Sequence, residues 1–451
     1  MTTVGGFLDM RPAVRDDVTV GPALTRGPKV VHLVKDPLTG ARLEVGGKER
    51  FLIVRLDGSK SLTEIGAEYA AAYGTRLGEA QWTQILRMLS LRGLLAAARP
   101  PQPPSGAAED RARAADTRPR QGSWLGGRTR LVADAGSAMD RLHQATGFAR
   151  RPAVLGPLLV LCAALLVAEA VRFGQLADAT GRLFQQPVAL VAVGCVLWLS
   201  LALHELAHGL VARGYGLKVA EIGLRRRAGF MTYLYCEVED VQFLGRRGPQ
   251  VAVAMAGVVA NLVYLLPFWV VWALLPGGAQ AEPFFGGLLL LGTAMGLLNL
   301  VPLPPLDGYK ALGYALGALR LAPESRAYLR LAVSAALRRP GARAATAAYP
   351  ARSRRVLGGY ALLGALFTLA ALAAAGLLCA VALPARYDTW TPYLPLAAVA
   401  AALLLRPLGL RAAARRASAT RTAADPDPGG PSAPAAAAPA RPGPDTRRRP
   451  G

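Results

Sequence analysis

Histidine and cysteine are both scarce in this chain of 451 residues, which contains four of each. Cys162, Cys195 and Cys379 lie within apolar runs and Cys236 lies in a loop, a distribution unlike a disulfide framework. No long apolar run precedes residue 153, so the pattern predicts no N-terminal signal peptide. We therefore expect the region before the first apolar run to stay in the cytoplasm.

Acidic residues are also few, since 29 Asp and Glu stand against 52 Lys and Arg and leave a formal net charge of +23. A charge of this size can indicate a nucleic-acid-binding protein. Here the arginines cluster between apolar runs, where the orientation of membrane helices selects for them. The amphipathic segment 78–92 has only Arg87 and Arg92 as basic residues, which is a poor phosphate-binding surface. We expect no nucleic-acid partner.

Apolar sequence, by contrast, is abundant, because 53% of the residues are hydrophobic and they collect in long runs. Each run is close to the roughly 20 residues that a helix needs to cross the hydrocarbon layer. They predict about six transmembrane helices, at 153–171, 187–212, 250–275, 284–303, 356–383 and 391–406. We therefore expect a mostly α-helical, polytopic protein in the lipid bilayer.

Basic residues are distributed unevenly between the connecting loops. Segments 213–248 and 304–355 are rich in Lys and Arg, whereas 172–186, 276–283 and 384–390 carry few or none. Basic loops favour the cytoplasmic side. The distribution predicts a multi-pass protein of the cell membrane with both termini in the cytoplasm.

The sequence before the first apolar run predicts a small folded domain. A hairpin with its turn at Pro37–Gly40, followed by two amphipathic helices, fits a small α/β, winged-helix-like cytoplasmic domain over 29–98. Composition predicts a flexible arm before it, a linker and juxtamembrane segment after it, then the membrane domain and a disordered tail. These predicted regions are 1–28, 99–151, 152–411 and 412–451.

The second apolar run contains the sequence LALHELAHGLVARGYG. His204 and His208 share one helix face, about 6 Å apart along the axis, so their imidazoles can converge on a zinc ion. Glu205 projects at another angle and can reach a water at the metal, as in the H-E-x-x-H arrangement of zinc peptidases. Ionisable groups in a membrane helix are costly and are expected only where they have a function. We predict Zn²⁺ as cofactor and Glu205 as the base.

A third protein ligand is needed, and the candidates are Asp307 and the carboxylates of the acidic loop 237–240. Asp307 follows a proline-rich break in the fourth apolar run, and Gly308 frees the backbone to present the carboxylate. On the predicted topology Asp307 and His204 lie near the same membrane face. We favour Asp307, with the acidic loop as the alternative.

Two asparagines also stand out. Asn261 lies within the third apolar run, and Asn299 lies just before the proline-rich break. Either amide could stabilise an oxyanion or hold an extended substrate. Hydrogen bonding between helices, with Gly257 allowing close packing, explains them equally well. The residues alone leave both interpretations open.

Together these motifs resemble the site-2 protease family of intramembrane zinc metalloproteases. The match consists of HELAH at 204–208, G-x-x-x-N at 257–261 and NLVPLPPLDG at 299–308, in the family's order. Two departures, Val258 after Gly257 and Tyr309 after the Asp-Gly pair, remove no ligand. The resemblance implies zinc ligands at His204, His208 and Asp307, a catalytic base at Glu205, and substrate-binding residues at Asn261 and Asn299.

Segment 29–98 resembles a PqqD-like domain, the winged-helix unit that binds leader peptides in ribosomally made natural-product pathways. The similar stretches are FLIVRLDGSKSLTEIGAEYAAAYG and ILRMLSLRGLL. Fused to this core, it resembles the peptide zinc metalloproteases of bacterial peptide-maturation clusters, including the daptide type. The implied activity is leader removal. The alternatives are cleavage of a membrane-anchored signalling protein, and a catalytically silent peptide-binding scaffold, which the intact Glu205 disfavours.

Two expectations concern the delivery of a peptide substrate. The β-rich loop 230–244 predicts a strand edge to which an extended substrate could add as a further strand. The Pro-, Ala- and Arg-rich segment 99–123 predicts a flexible tether that raises the local concentration of a peptide bound to the N-terminal domain.

Overall fold

The computed structural model describes residues 6–96, 126–132, 134–227, 231–382 and 393. Its contacts divide the chain into two units, 1–365 and 366–451, and the features below belong to the first unit, apart from the end of the last helix. The strands are β1 Thr19–Val20, β2 Leu24–Arg26, β3 Lys29–Lys35, β4 Arg42–Gly46, β5 Gly126–Arg130, β6 Val219–Arg227 and β7 Met231–Val238.

The described residues are mostly helical. In chain order the helices are α1 Gly47–Ile53, α2 Leu62–Tyr73, α3 Glu79–Leu91, α4 Ala135–Ala145, α5 Pro152–Val171, α6 Phe173–Leu183, α7 Pro187–Gly214, α8 Arg247–Leu274, α9 Glu282–Leu298, α10 Asp307–Leu316, α11 Leu321–Ala336, α12 Ala342–Ala347 and α13 Ala351–Ala382.

The N-terminal region is a small α/β domain. Its antiparallel sheet has β3 at the centre, with β4 on one side and β1 and β2 on the other. The hairpin between β3 and β4 turns at Pro37–Gly40 as predicted. Helices α1, α2 and α3 cover one face and share a core with the sheet that includes Val34, Val45, Ile65 and Trp82. Whether this domain is a winged helix stays a prediction.

The ordered sheet begins earlier than the sequence suggested. β1 and β2 both lie within segment 1–28, where composition predicted a flexible arm, and both pair with β3. Arg15 also forms an ion pair with the buried Asp36, with 2.9 Å between Nη2 and Oδ1. Strands of two and three residues carry too little periodicity to be recognised, and pairing with β3 supplies the stability that their composition lacks.

Four helices of the described residues are long and apolar enough to cross a membrane. They are α5, α7, α8 and residues 351–376 of α13. The prediction of six spans is therefore not confirmed. The run at 284–303 forms α9, which has only 17 residues because the chain leaves the helix before Pro302. The run at 391–406 lies outside the described residues except for 393.

A helix fills the predicted loop 172–186. In α6 the residues Leu176, Ala179 and Leu183 recur at helical spacing, and all three are buried. They pack against α9, where Gly286 and Gly287 leave room for them. The loop interpretation was wrong because the segment is too polar to resemble a span, although one face of it is apolar.

The connection between α7 and α8 folds into a sheet with β5. The strand order is β5-β6-β7, all antiparallel, and β7 lies within the predicted β-rich loop. One face of this sheet packs on α7, where Ile222 and Leu234 meet Leu206 and Leu210. At Gly209 of α7 the sheet comes so close that an added Cβ would lie 2.6 Å from Cys236 Sγ. The sheet therefore lies along the helix that carries the histidine pair.

Candidate metal centre

Three side chains that are far apart in sequence converge between α7 and the start of α10. His204 and His208 come from α7, and Asp307 is the first residue of α10. Asp307 Oδ2 lies 2.8 Å from His204 Nε2 and 3.0 Å from His208 Nε2, and the two Nε2 atoms are 3.2 Å apart. All three residues are buried, with 2%, 8% and 5% of their surfaces exposed.

This donor set fits a metal ion. Donors bound tetrahedrally to zinc at about 2.0–2.1 Å lie about 3.3 Å from one another, close to the separations of these three atoms. Two imidazole nitrogens facing each other at 3.2 Å gain little without a cation between them. Two histidines and a carboxylate, with a fourth position open, form a ligand set of catalytic zinc sites. His204, His208 and Asp307 could therefore hold a metal ion, as the sequence predicted.

Hydrogen bonds behind the ligands orient the imidazoles. His208 Nδ1 donates to the carbonyl oxygen of Val253 on α8, at 2.7 Å, which leaves Nε2 unprotonated for a metal. His204 Nδ1 lies 3.1 Å from the amide nitrogen of Asn261, whose Oδ1 accepts from Ser200 Oγ at 3.1 Å. Turning that amide by 180° presents Oδ1 to the Nδ1–H that a metal-bound His204 carries, and Nδ2 can then donate to Ser200.

The two asparagines lie behind and beside the candidate ligands in this structure, and their substrate-binding role stays a prediction. Asn261 is 1% exposed and contacts His204 from behind, which matches the alternative of hydrogen bonding between helices. Asn299 donates its amide to the carbonyl of Met295 in its own helix, at 3.3 Å. Its backbone oxygen accepts from Gly308 N, at 2.7 Å. In this structure both asparagines support the ligands, one through His204 and one through the turn before Asp307.

Two glycines allow the ligands to come together. An ideal Cβ on Gly257 of α8 would lie 2.4 Å from His204 Nε2, so the imidazole rests directly on the backbone of α8. A Cβ on Gly308 would lie 2.0 Å from the carbonyl oxygen of Leu300. Real Cβ atoms do not approach other atoms so closely. Glycine is therefore required at both positions for the observed ligand geometry.

Glu205 is half-buried beside the ligands and makes no hydrogen bond or ion pair with any residue that the structure describes. A carboxylate in that condition is available to a water or a substrate. Lys310, one turn after Asp307, donates to Asp307 Oδ1 at 2.8 Å, so the other carboxylate oxygen faces the histidines. In the sequence Lys310 is one of the basic residues of segment 304–355, which predict membrane orientation alone. Its i,i+3 spacing from Asp307 was the available signal.

The charges at the start of α10 stabilise one another. Burial raises the pKa of Asp307, but hydrogen bonds with His204 and His208 and the charge of Lys310 lower it more, so the pKa lies below its usual 3.8. Burial lowers the pKa of Lys310, but the carboxylates of Asp307 and Glu205 raise it above the usual 10.5. At neutral pH this pair is a carboxylate held by an ammonium group.

The carboxylates of the acidic loop are occupied elsewhere. Glu239 and Asp240 accept hydrogen bonds from Lys35 Nζ, at 2.9 and 2.6 Å, and Glu237 pairs with Arg128. None of the three belongs to the cluster that could bind a metal. Asp307 is thus the only one of the four candidate carboxylates that lies with both histidines.

Comparison with known proteins gives one informative similarity. The chain is 31% identical over 142 residues to a protein of Synechocystis sp. named "Putative zinc metalloprotease". The matched region is 31% of this chain and 34% of the relative, so the chain spans about a third of the length of the curated relative that it matches. No family model and no solved structure matches the chain. The similarity, together with the three converging ligands, supports a metalloprotease function in general terms.

Proposed function

We propose that this chain is an intramembrane zinc metalloendopeptidase of the site-2 protease type, which cleaves peptides within or beside the membrane. The observation that carries the proposal is the convergence of His204, His208 and Asp307, with the carboxylate of Glu205 near them and without a hydrogen-bond partner among the described residues. These groups lie against α7 and α8, two of the four helices able to cross a membrane. The similarity to a protein named as a zinc metalloprotease supports the same reaction class.

The proposed mechanism assigns a task to each of these side chains. Zinc held by the three ligands would acidify a water and polarise the scissile carbonyl. Glu205 takes a proton from the attacking water and delivers it to the leaving amine. Lys310 holds Asp307 Oδ1, which orients Oδ2 towards the histidines. Asn261 orients His204 through Nδ1, and Val253 orients His208 in the same way.

We propose that the substrate is held extended against β7. Among the described residues no strand pairs with the outer edge of β7, and Trp198 of α7 donates to the carbonyl of Thr232 in that strand, at 2.7 Å. The strand lies along α7, where Cys236 packs on Gly209, one turn after Glu205. A peptide bond in a helix is shielded by its own hydrogen bonds, so pairing with β7 would expose it.

The first test concerns the metal. We expect purified protein to contain one zinc per chain, and Asp307→Ala to abolish binding because a site with three protein ligands tolerates no deletion. Metal analysis of the two proteins is the measurement. Glu239→Ala is the matched control, since that carboxylate lies at Lys35, and it should keep its zinc. Full zinc in Asp307→Ala would refute the ligand assignment. Chelation should stop peptide cleavage and added zinc should restore it.

We propose further that the reaction removes the leader of a ribosomally made peptide, with the N-terminal domain recognising that leader. What supports this is a cleft of about 450 Å³ on the helical side of the domain. Apolar and small side chains line it, and Arg76 stands at the rim without an ion-pair partner among the described residues. Its lining includes Leu8, Thr63, Gly66, Ala67, Ala70, Leu77 and Trp82. The apolar lining and the guanidinium group of Arg76 suit an apolar peptide segment that carries a carboxylate.

Filling that cleft should weaken peptide binding selectively. Peptides selected by phage display for binding to the full-length protein should bind about tenfold more weakly to Ala67→Arg, because the new side chain occupies the cleft. Ala72→Arg, exposed on a different face of the same helix and outside the cleft, is the matched control. Fluorescence anisotropy with labelled peptides gives both affinities. An equal effect of the two substitutions, or none, would contradict recognition in the cleft.

We propose the orientation in which both termini are cytoplasmic. The short connection between α8 and α9, at 275–281, then faces outward. Gln280 is exposed there, so Gln280→Cys in a background without native cysteines should react with a membrane-impermeant maleimide on intact cells. Labelling only after permeabilisation would reverse the topology and place the metal centre near the opposite membrane surface.

A further inference from the structure

The sheet of the N-terminal domain is buried on both faces. Val34 faces α1, α2 and α3, whereas Val31 and Leu33 point to the other face, and both are nonetheless buried. That second face packs, together with Leu24, against Phe243 and Leu319 of the membrane domain. An ideal Cβ on Gly21 would lie 3.2 Å from the ring of Phe243. The contact with the membrane domain accounts for the burial of these apolar residues.

Ion pairs close the edge of this contact. Lys35 Nζ lies 2.9 Å from Glu239 Oε2 and 2.6 Å from Asp240 Oδ2, and the Lys35 side chain is only 12% exposed. Arg42 approaches Asp240 Oδ1 at 3.6 Å. Burial lowers the pKa of Lys35, but the two carboxylates raise it above its usual value, so the ammonium form is retained at neutral pH.

Backbone pairing adds a second attachment. Thr25 of β2 donates its N–H to the carbonyl of Gly317, at 2.7 Å, and accepts from Leu319 N, at 3.1 Å. This is a short parallel bridge centred on Thr25 and Ala318. Backbone hydrogen bonds fix direction as well as distance. The domain is therefore held at two separate segments, 239–243 and 317–319, and cannot pivot about either one.

Both segments lead directly to the metal centre. Segment 239–243 follows β7, the strand that lies along α7. Segment 317–319 follows α10, whose ten residues span about 15 Å from Asp307 at its other end. A free tether would allow the domain a wide range of positions. The docked arrangement allows it one. The predicted tether at 99–123 lies outside the described residues.

We propose that docking makes the N-terminal domain a fixed spacer, which selects substrates by the number of residues between a segment held in the Ala67 cleft and the scissile bond. The proposal rests on the proteolytic function proposed above. A tethered domain would only concentrate substrate and would accept many spacings. A docked domain presents to Glu205 only the bond that lies at the matching distance. An insertion of four residues in an extended substrate moves that bond by about 13 Å.

A covalent probe tests the spacing without knowledge of the natural leader. Ala67→Cys, in full-length protein whose four native cysteines are replaced, is coupled to maleimide peptides. Each peptide carries a rigid polyproline spacer, from about 3 to about 18 residues at about 3.1 Å per residue, followed by a degenerate apolar fluorogenic segment. Phe243→Asp loosens the docking from the membrane-domain side, and Tyr215→Asp, an exposed aromatic outside the contact, is the matched control.

A spectroscopic measurement follows docking independently of activity. Spin labels at Ala71 on α2 and Arg330 on α11 should give a narrow distance distribution in the starting protein and in Tyr215→Asp. The distribution should broaden in Phe243→Asp. A broad distribution in the starting protein would overturn the proposal, because the domain would then be mobile.

The spacer series gives the decisive result. We expect cleavage to peak over a narrow range of spacer lengths, about tenfold above shorter and longer spacers, and Phe243→Asp to flatten the profile. Equal cleavage at all lengths in the starting protein would overturn the proposal, as would a peak that survives proven undocking. The proteolytic function itself would be refuted if the same degenerate fluorogenic peptides, added without coupling to the protein, were not cut at all while the spin-label distance distribution stayed narrow. Failure of the spacing proposal alone would instead give cleavage at every spacer length.

Discussion

We expect Glu205→Gln to bind zinc like the unchanged protein and to cleave peptides about 10²–10⁴-fold more slowly. The carboxamide has nearly the same shape as the carboxylate but cannot accept a proton from the attacking water. Glu205 makes no hydrogen bond or ion pair with a described residue, so the substitution removes a reactive group and no structural contact. Metal content and peptide cleavage, measured on the same preparations, separate the two effects.

The same variant reports on where the substrate lies. A peptide bound to Glu205→Gln stays intact, and pairing with β7 should then protect the outward-facing amides of Met231–Val238 from hydrogen exchange. The amides of β5 serve as the internal control, since that strand is on the far side of β6. Unchanged cleavage by Glu205→Gln would remove Glu205 from the mechanism. Protection confined to β5 would place the substrate at the other edge of the sheet.

We expect Gly257→Ala to weaken zinc binding by about 100-fold or more, although residue 257 touches no metal. The new Cβ would lie within 2.4–2.5 Å of three atoms of the His204 ring. Neither side can move freely, because the imidazole is buried and the Cβ belongs to the backbone of α8. His204 must therefore leave its position beside Asp307. Competition with a chromogenic chelator measures the affinity directly.

Gly194→Ala is the matched control for that substitution. Gly194 lies in α7, another helix able to cross a membrane. Apart from its chain neighbours and the nearby backbone of its own helix, no atom lies within 4 Å of its ideal Cβ position. The Gly194→Ala protein should bind zinc with the affinity of the unchanged protein, and its helix α7 should be slightly more stable, since alanine has a higher helix propensity than glycine. Retention of zinc in Gly257→Ala would show that His204 can bind the metal from another rotamer.

Much of the candidate site was predictable because its chemistry is local. His204 and His208 are one helical turn apart, so their convergence follows from helix geometry as soon as the segment is recognised as helical. Asp307 is 103 residues from His204, yet the proline break and the distribution of basic loops placed both near one membrane face. The resemblance to site-2 proteases then named the same three ligands. Both arguments use features that can be read along the sequence without knowledge of the packing.

Predictions that depended on distant packing succeeded less well. The sequence leaves the role of Asn261 open because it does not show what the amide faces, whereas the structure places the amide behind His204. The sequence predicts a loop where α6 forms, because the burial of Leu176 and Leu183 depends on glycines of α9, about 110 residues later. The six spans are not confirmed, and for the run at 284–303 the reason is that an apolar run does not reveal where prolines end the helix within it.

The sequence by itself therefore determined that His204, His208 and Asp307 could share a metal ion and that long apolar helices form, since short motifs and apolar runs express these features directly. Tertiary structure alone decided how closely α8 approaches α7 at Gly257, and that approach sets the position of His204. It alone decided that Val31 and Leu33 cover the membrane domain and do not lie exposed on a tethered unit. The physical reason is the same in both cases. Close packing depends on the shapes of two surfaces that meet, and the sequence of one segment specifies the shape of only one of them.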